Sequence, residues 1–140
     1  MSIKLRLSAG LLNLGALSAV LASSTQAANA YADEMRFQLD KIAATEEQTQ
    51  PFRDLLAKYF SDRNNVLDRV RKKTHMAYAP CEPKKKCDQI LAKRISRELR
   101  RVADQSVEAM SEVLMKDQLE HYEKFVEIAN SQFMMRAGLK

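Results

Sequence analysis

Glycine is nearly missing from this 140-residue chain: it has three, and only Gly138 lies beyond residue 30. Proline is as sparse, at Pro51, Pro80 and Pro83. So little glycine leaves no Gly-rich loop to cradle a phosphate, which excludes the familiar nucleotide-binding motifs. Strand-like alternation of apolar and polar residues is absent too, so the chain after residue 30 reads as all-α. Only two histidines, His75 and His121, are present, with no nucleophile–base set around them, and no enzyme is expected. A C-x-x-C-H run is missing, which rules out the usual covalent haem attachment.

What is present begins with an export signal. Lys4 and Arg6 open the chain, and an apolar run follows from Leu11 to Ala22. Ser23, Ser24 and Thr25 come next, then small-residue cleavage contexts ending at Ala27 or Ala30. This is the order of a secretory signal, and the apolar run is too short to span a bilayer. The expected division is a signal peptide over 1–30 and one helical domain over 31–140, with no stable membrane insertion after cleavage. A retained membrane helix is the competing reading. No cysteine lies near the cleavage region to carry a lipid anchor.

The two cysteines, Cys81 and Cys87, both fall in the exported part. Outside the cytoplasm thiols tend to oxidise, so a local disulfide is expected. Closing so small a ring contributes roughly 2 kcal/mol, less any strain. A metal site on these cysteines is the alternative, although C-x5-C without a second pair is poor zinc spacing. A bridge between chains is a third reading.

Charge is unevenly placed. The chain carries 23 bases and 18 acids. Residues 63–101 alone hold 13 bases and 4 acids, while the stretches 31–62 and 102–140 each hold 4 bases and 7 acids. A basic block between two acidic ones attracts acidic partners and speeds their encounter at low salt. The bland reading of such a block is a solvated helix face.

Helical periodicity divides the exported part into four segments. The first, about Ala32 to Ala43, aligns Met35, Leu39 and Ile42. The second opens on Thr45-Glu46-Glu47-Gln48, a capping box in which Thr45 and Gln48 bond to each other's backbone N–H. Its apolar face holds Phe52, Leu55, Leu56, Tyr59, Phe60, Val66, Leu67 and Val70, with a kink or restart expected at Pro51 and an end by Ala79. A disulfide-pinned loop over 80–87 follows, after which Asp88 can cap the third helix. That helix aligns Leu91, Ile95, Leu99, Val102, Val107, Met110, Val113 and Leu114. A break near 115–117 is expected, with Asp117 and Glu120 as a second possible capping box. Leu119, Tyr122, Val126, Ala129 and Phe133 then form the last stripe, ended by Arg136 and Gly138. Four thin amphipathic helices bury little alone, so dimerisation is a natural way to cover the rest.

Two short stretches look alike. Ala44-Thr45-Glu46-Glu47-Gln48 is followed by Phe52, and Leu114-Met115-Lys116-Asp117-Gln118 by Tyr122. Each ends in Gln with an aromatic four residues on. Together they resemble the paired L-T-x-x-Q motif of the Spy/CpxP family of periplasmic helical proteins, across most of residues 35–130. Ala44 stands in place of the leading Leu in the first copy, and Met115 in place of the Thr in the second.

The resemblance implies a periplasmic protein with a four-helix bent hairpin, two of its helices long, that pairs into a cradle-shaped dimer. It also implies an ATP-independent chaperone, or an accessory protein that restrains envelope-stress signalling. Partners would be unfolded or acidic proteins, including the periplasmic domain of a sensor kinase, and no cofactor or nucleic acid is expected. The cradle's basic residues would be Arg69, Arg71, Lys72, Lys73, Arg94, Arg97 and Arg101. Met76 and Met110 offer adaptable apolar contacts, or else fill the core.

The strongest rival reading is a periplasmic metal-binding or metal-sensing protein. His75, Met76, His121, Met134 and Met135 would be its ligands, without a recognisable ligand spacing. Haem held between Met35 and His121 is a smaller alternative.

Overall fold

The computed structural model describes the backbone of residues 15–78 and 84–139, with side chains at 26, 29–73 and 86–139. Four helices run in order: α1 Gly15–Ile42, α2 Glu46–Tyr78, α3 Lys84–Met110 and α4 Lys116–Arg136. No strand occurs among the described residues. By internal packing the chain divides into two units, 1–33 and 34–140, with α1 crossing the boundary. In the first unit the described residues are helical, and Gln26, Asn29 and Ala30 are exposed. In the second, α2 packs along α3 and α3 packs against α4.

Three expected boundaries differ. The first helix begins at Gly15, not near Ala32, so the candidate cleavage contexts at Ala27 and Ala30 lie inside α1. Alanine recurs through this stretch and favours continued helix. Lys4, Arg6 and the start of the apolar run lie outside the described residues. Among those described, no helix is long and apolar enough to cross a membrane.

Pro51 does not restart α2, which is one helix from Glu46 to Tyr78. The carbonyl that Pro51 leaves without a partner is that of Glu47. Both residues are exposed, in the first two turns, where water can satisfy the orphaned group. The third helix begins at Lys84, so Lys84–Cys87 are helical rather than loop and Asp88 lies inside α3 instead of capping it. Cys87 is disulfide-bonded. Cys81 and Pro80 lie outside the described residues.

The core of the second unit assembles most of the expected stripes. Ile42, Tyr59, Val66, Val70, Ile95, Leu99, Val102, Met110, Leu114, Tyr122, Val126 and Ala129 are all buried. Phe125 joins them unforeseen and packs edge-on against Phe60 and Tyr122. Two tyrosines carry polar groups into this core. The Tyr59 hydroxyl donates its one hydrogen to Asn130 Oδ1, shared with the Val126 carbonyl at 3.3 Å, and Asn130 Nδ2 donates to the Leu99 carbonyl at 3.1 Å. The Tyr122 hydroxyl is hydrogen-bonded to Ser106 Oγ. Burial pushes both phenols up, Tyr122 to about 12, so each stays neutral and able to donate.

The chain's exit from α4 follows from Gly138, whose φ of +71° lies in the left-handed region. Gly138 N–H bonds to the Met135 carbonyl at 3.1 Å and Leu139 N–H to that of Met134 at 2.9 Å. This pair of bonds is a Schellman cap, and Leu139 closes it by packing on the core.

Candidate partner-binding groove and the paired glutamines

A groove of about 330 Å³ opens between α2 and α3. Arg69 and Lys73 line it from α2, one helical turn apart, and Arg94, Arg97 and Arg101 line it from α3. Val70, nearly fully buried, is its apolar member. Five of the seven expected basic residues therefore share one concavity. They share it because helical spacing places i, i+4 on α2 and i, i+3, i+7 on α3 along single stripes. Arg71 and Lys72 are exposed on α2 but do not line the groove.

Glu98, which the sequence pattern did not single out, is the acid among the groove's described residues. It holds Arg101 at 3.0 Å, as an i, i+3 pair on α3. Among the described residues, five bases against one acid leave the concavity positive. Guanidinium forks bind carboxylates and phosphates with two parallel hydrogen bonds, so the groove's chemistry is that of an anion receptor.

At the other end of the unit the two look-alike motifs meet. Thr45 and Gln48 form the expected capping box: Thr45 N–H donates to Gln48 Oε1 at 3.0 Å, and Gln48 N–H to Thr45 Oγ1 at 3.3 Å. Gln118 does the same half-task for α4, accepting from Met115 N–H at 2.9 Å. The N-cap of α4 is thus Met115, and the box expected from Asp117 and Glu120 does not form. Asp117 lies in the first turn, where its charge faces the helix dipole.

Beyond these local bonds, the two glutamines bind each other. Gln48 Nε2 donates to Gln118 Oε1 at 2.9 Å, and Gln118 Nε2 to Gln48 Oε1 at 3.0 Å. The second hydrogen of each amide reaches a carbonyl: Gln48 to Val113 and Gln118 to Ile42, both at 3.0 Å. Each amide thereby makes two donor and two acceptor bonds, its full capacity. The end of α1, the start of α2, the turn after α3 and the start of α4 are tied at one point. Ala43 contributes by adopting φ +46°, a left-handed conformation that turns the chain just past the Ile42 carbonyl. Ala44 and Leu114, the matching first positions of the two motifs, both face the core.

Met115 marks the asymmetry between the copies. It sits in extended conformation at the N-cap, 69% exposed, and offers the Gln118 N–H only a thioether, a weak acceptor, where Thr45 offers Gln48 a hydroxyl. Met115→Thr is expected to supply that acceptor and to raise stability by about 1 kcal/mol, in the usual range for an N-cap. Thermal unfolding would read this as a rise of a few degrees, and an unchanged or lowered midpoint would contradict the equivalence of the two caps.

The remaining candidates scatter. The His121 ring nitrogen Nδ1 is hydrogen-bonded to buried Gln38 at 2.9 Å, and Gln38 in turn to Glu34 at 3.2 Å. Met35 and Met134 pack against the core, Met110 is fully buried within it, and Met135 is exposed. Met110 is therefore a core residue and not a contact on the surface. The side chains of His75 and Met76 lie outside the described residues. Among the described residues no group of three or more His, Cys, Asp or Glu gathers as metal ligands. Arg63, also missed, lies over the rings of Phe60 and Phe133 and donates to the Ala129 carbonyl at 3.3 Å. Burial pulls its guanidinium below the ordinary value. No protein-family model, curated protein or solved structure matches this chain.

Proposed function

We propose that this is an exported, ATP-independent chaperone or envelope-stress accessory protein that binds unfolded or acidic partners through the α2–α3 groove. The observation that carries this reading is the convergence of Arg69, Lys73, Arg94, Arg97 and Arg101 on one concavity. The L-T-x-x-Q resemblance supports it independently. The bent hairpin, the cradle-shaped dimer, the Cys81–Cys87 pairing and the periplasmic location belong to the same proposal.

The mechanism is electrostatic capture. Cations in a concave wall draw acidic segments in quickly, and exposed ion pairs contribute only about 0–1 kcal/mol each, so partners also leave. Such a binder needs no ATP to release its client. Val70 adds little apolar contact, which keeps binding weak enough to let the client fold.

The purified protein is expected to suppress aggregation of a reduced model protein without ATP, more strongly in low salt than in high. Arg69→Glu with Arg97→Glu should lower that suppression about tenfold at low salt, the equivalent of roughly 1.4 kcal/mol. An absence of suppression at both salts would remove the chaperone role. Failure of the double variant to weaken binding to an acidic peptide would remove the groove from either role.

A further inference from the structure

The groove has a counterpart on the same chain. On α4, Glu120, Glu123 and Glu127 are all exposed, and none forms an ion pair with a described residue. Tyr122, Phe125, Val126 and Ala129 bury the opposite side of this helix. The three glutamates recur at i, i+3 and i+7. Arg94, Arg97 and Arg101 recur on α3 at the same intervals. At 1.5 Å rise per residue each row extends about 10 Å. Two helical rows of equal length and opposite sign can be laid side by side so that every carboxylate meets a guanidinium. Arg69 and Lys73 then close over the acidic row from the other wall.

The lining of the groove contains no α4 residue, so a chain does not fill its own groove with this row. Opposing charges are present but fewer. Lys124 lies beside the glutamates, Glu98 stands in the groove engaged with Arg101, and Arg94 is already engaged within its own chain, so a docking row must share or displace these contacts.

We propose that the α4 glutamate row of one copy docks in the α2–α3 groove of a second copy. This rests on the groove being an anion receptor, and not on any client. The contact is built from exposed charges, so it is weak and is screened as salt shortens the Debye length from about 10 Å at 0.1 M to about 3 Å at 1 M. Its consequence is regulatory. At high protein concentration the copies occupy one another's grooves, and an acidic partner must displace a glutamate row to bind.

Sedimentation of the full exported chain tests this at low and high salt. The expected result is a weight-average mass above the high-salt value, falling to that value as salt rises. Arg69→Glu/Arg97→Glu and Glu120→Lys/Glu123→Lys/Glu127→Lys should each remove the salt-sensitive increment, with helicity unchanged by circular dichroism. Mixing the two variants should restore it in part, because the intact glutamate row of the groove variant then meets the intact groove of the row variant. Salt-insensitive mass, or variants that associate like the parent chain, or a mixture that fails to recover, overturns the proposal. If an acidic peptide still binds the parent groove in that case, the groove stands as a receptor and only the self-docking is lost.

Discussion

Tyr122→Ala is expected to destabilise the protein by about 3–5 kcal/mol, the usual cost of truncating a fully buried aromatic residue. Tyr122 is completely buried and meets Phe52 and Phe125 edge-on, with ring centroids 6.1 and 6.0 Å away. It therefore joins α2 to α4 through Phe52, while its hydroxyl joins α4 to the Ser106 hydroxyl on α3. Alanine removes all of this at once and leaves a cavity where three helices converge. Domains of this size are stable by about 5–15 kcal/mol, so the loss is a large fraction of the whole. Tyr122→Phe separates packing from polarity. It keeps the ring and drops one hydrogen bond, for about 1 kcal/mol plus the cost of an unpaired Ser106 hydroxyl. Urea denaturation of the three proteins gives the comparison. If alanine costs no more than phenylalanine, this aromatic cluster does not hold the helices together.

Much of this core was legible before any coordinates. Apolar residues at helical spacing have one low-energy arrangement, facing inward, and Tyr59, Val66, Ile95, Leu99 and Tyr122 all took it. Phe125 escaped because it lies beside the stripe of Tyr122, Val126 and Ala129, and α4 is buried over a wider arc than one stripe. Gln38 and Gln132 are buried although polar, a placement that periodicity of apolar residues does not register. Pro51 misled for a positional reason. Proline breaks a helix by denying it a bond, and within two exposed turns of the start that loss is made good by water. The start of α3 misled similarly: Asp88 has the chemistry of a cap, but Lys84–Cys87 were free to be helical ahead of it.

For the site, composition located the basic residues and helical geometry decided which of them converge. Arg69 and Lys73 point into the groove, whereas Arg71 and Lys72 are on other faces of the same turn and do not line it. A run of basic residues on a helix necessarily splits in this way, since neighbours in sequence are about 100° apart around the axis. The matched glutamate row on α4 was equally visible as spacing. Its exposure and its lack of ion pairs among the described residues needed the structure.

Gln118→Ala is expected to cost about 2–4 kcal/mol, more than a side chain that is only half-buried would suggest. The reason is what it leaves behind. Met115 N–H, the Ile42 carbonyl and both ends of the Gln48 amide lose a partner together. Each unsatisfied group that stays shielded from water costs about 1–3 kcal/mol, and those that water reaches cost less. Gln48→Ala should behave alike, stranding Thr45 N–H, the Val113 carbonyl and Gln118. The pair offers a test that neither variant gives alone. Once one glutamine is gone, the other has already lost its reciprocal amide, so removing it should cost less in the double variant than in the parent chain. The expected coupling is about 1–2 kcal/mol in a double-mutant cycle, within the range for residues that share a hydrogen-bond network. Glu is the informative second substitution at position 118. Gln118→Glu keeps the acceptor for Met115 N–H and for Gln48 Nε2 but loses both donors, so it should retain the cap and one bond to Gln48 while setting a carboxylate oxygen against the Ile42 carbonyl and Gln48 Oε1. Stability close to that of Gln118→Ala would then assign most of the effect to the cross-link between motifs. Stability close to the parent, or strict additivity in the cycle, would show that these glutamines act as separate helix caps.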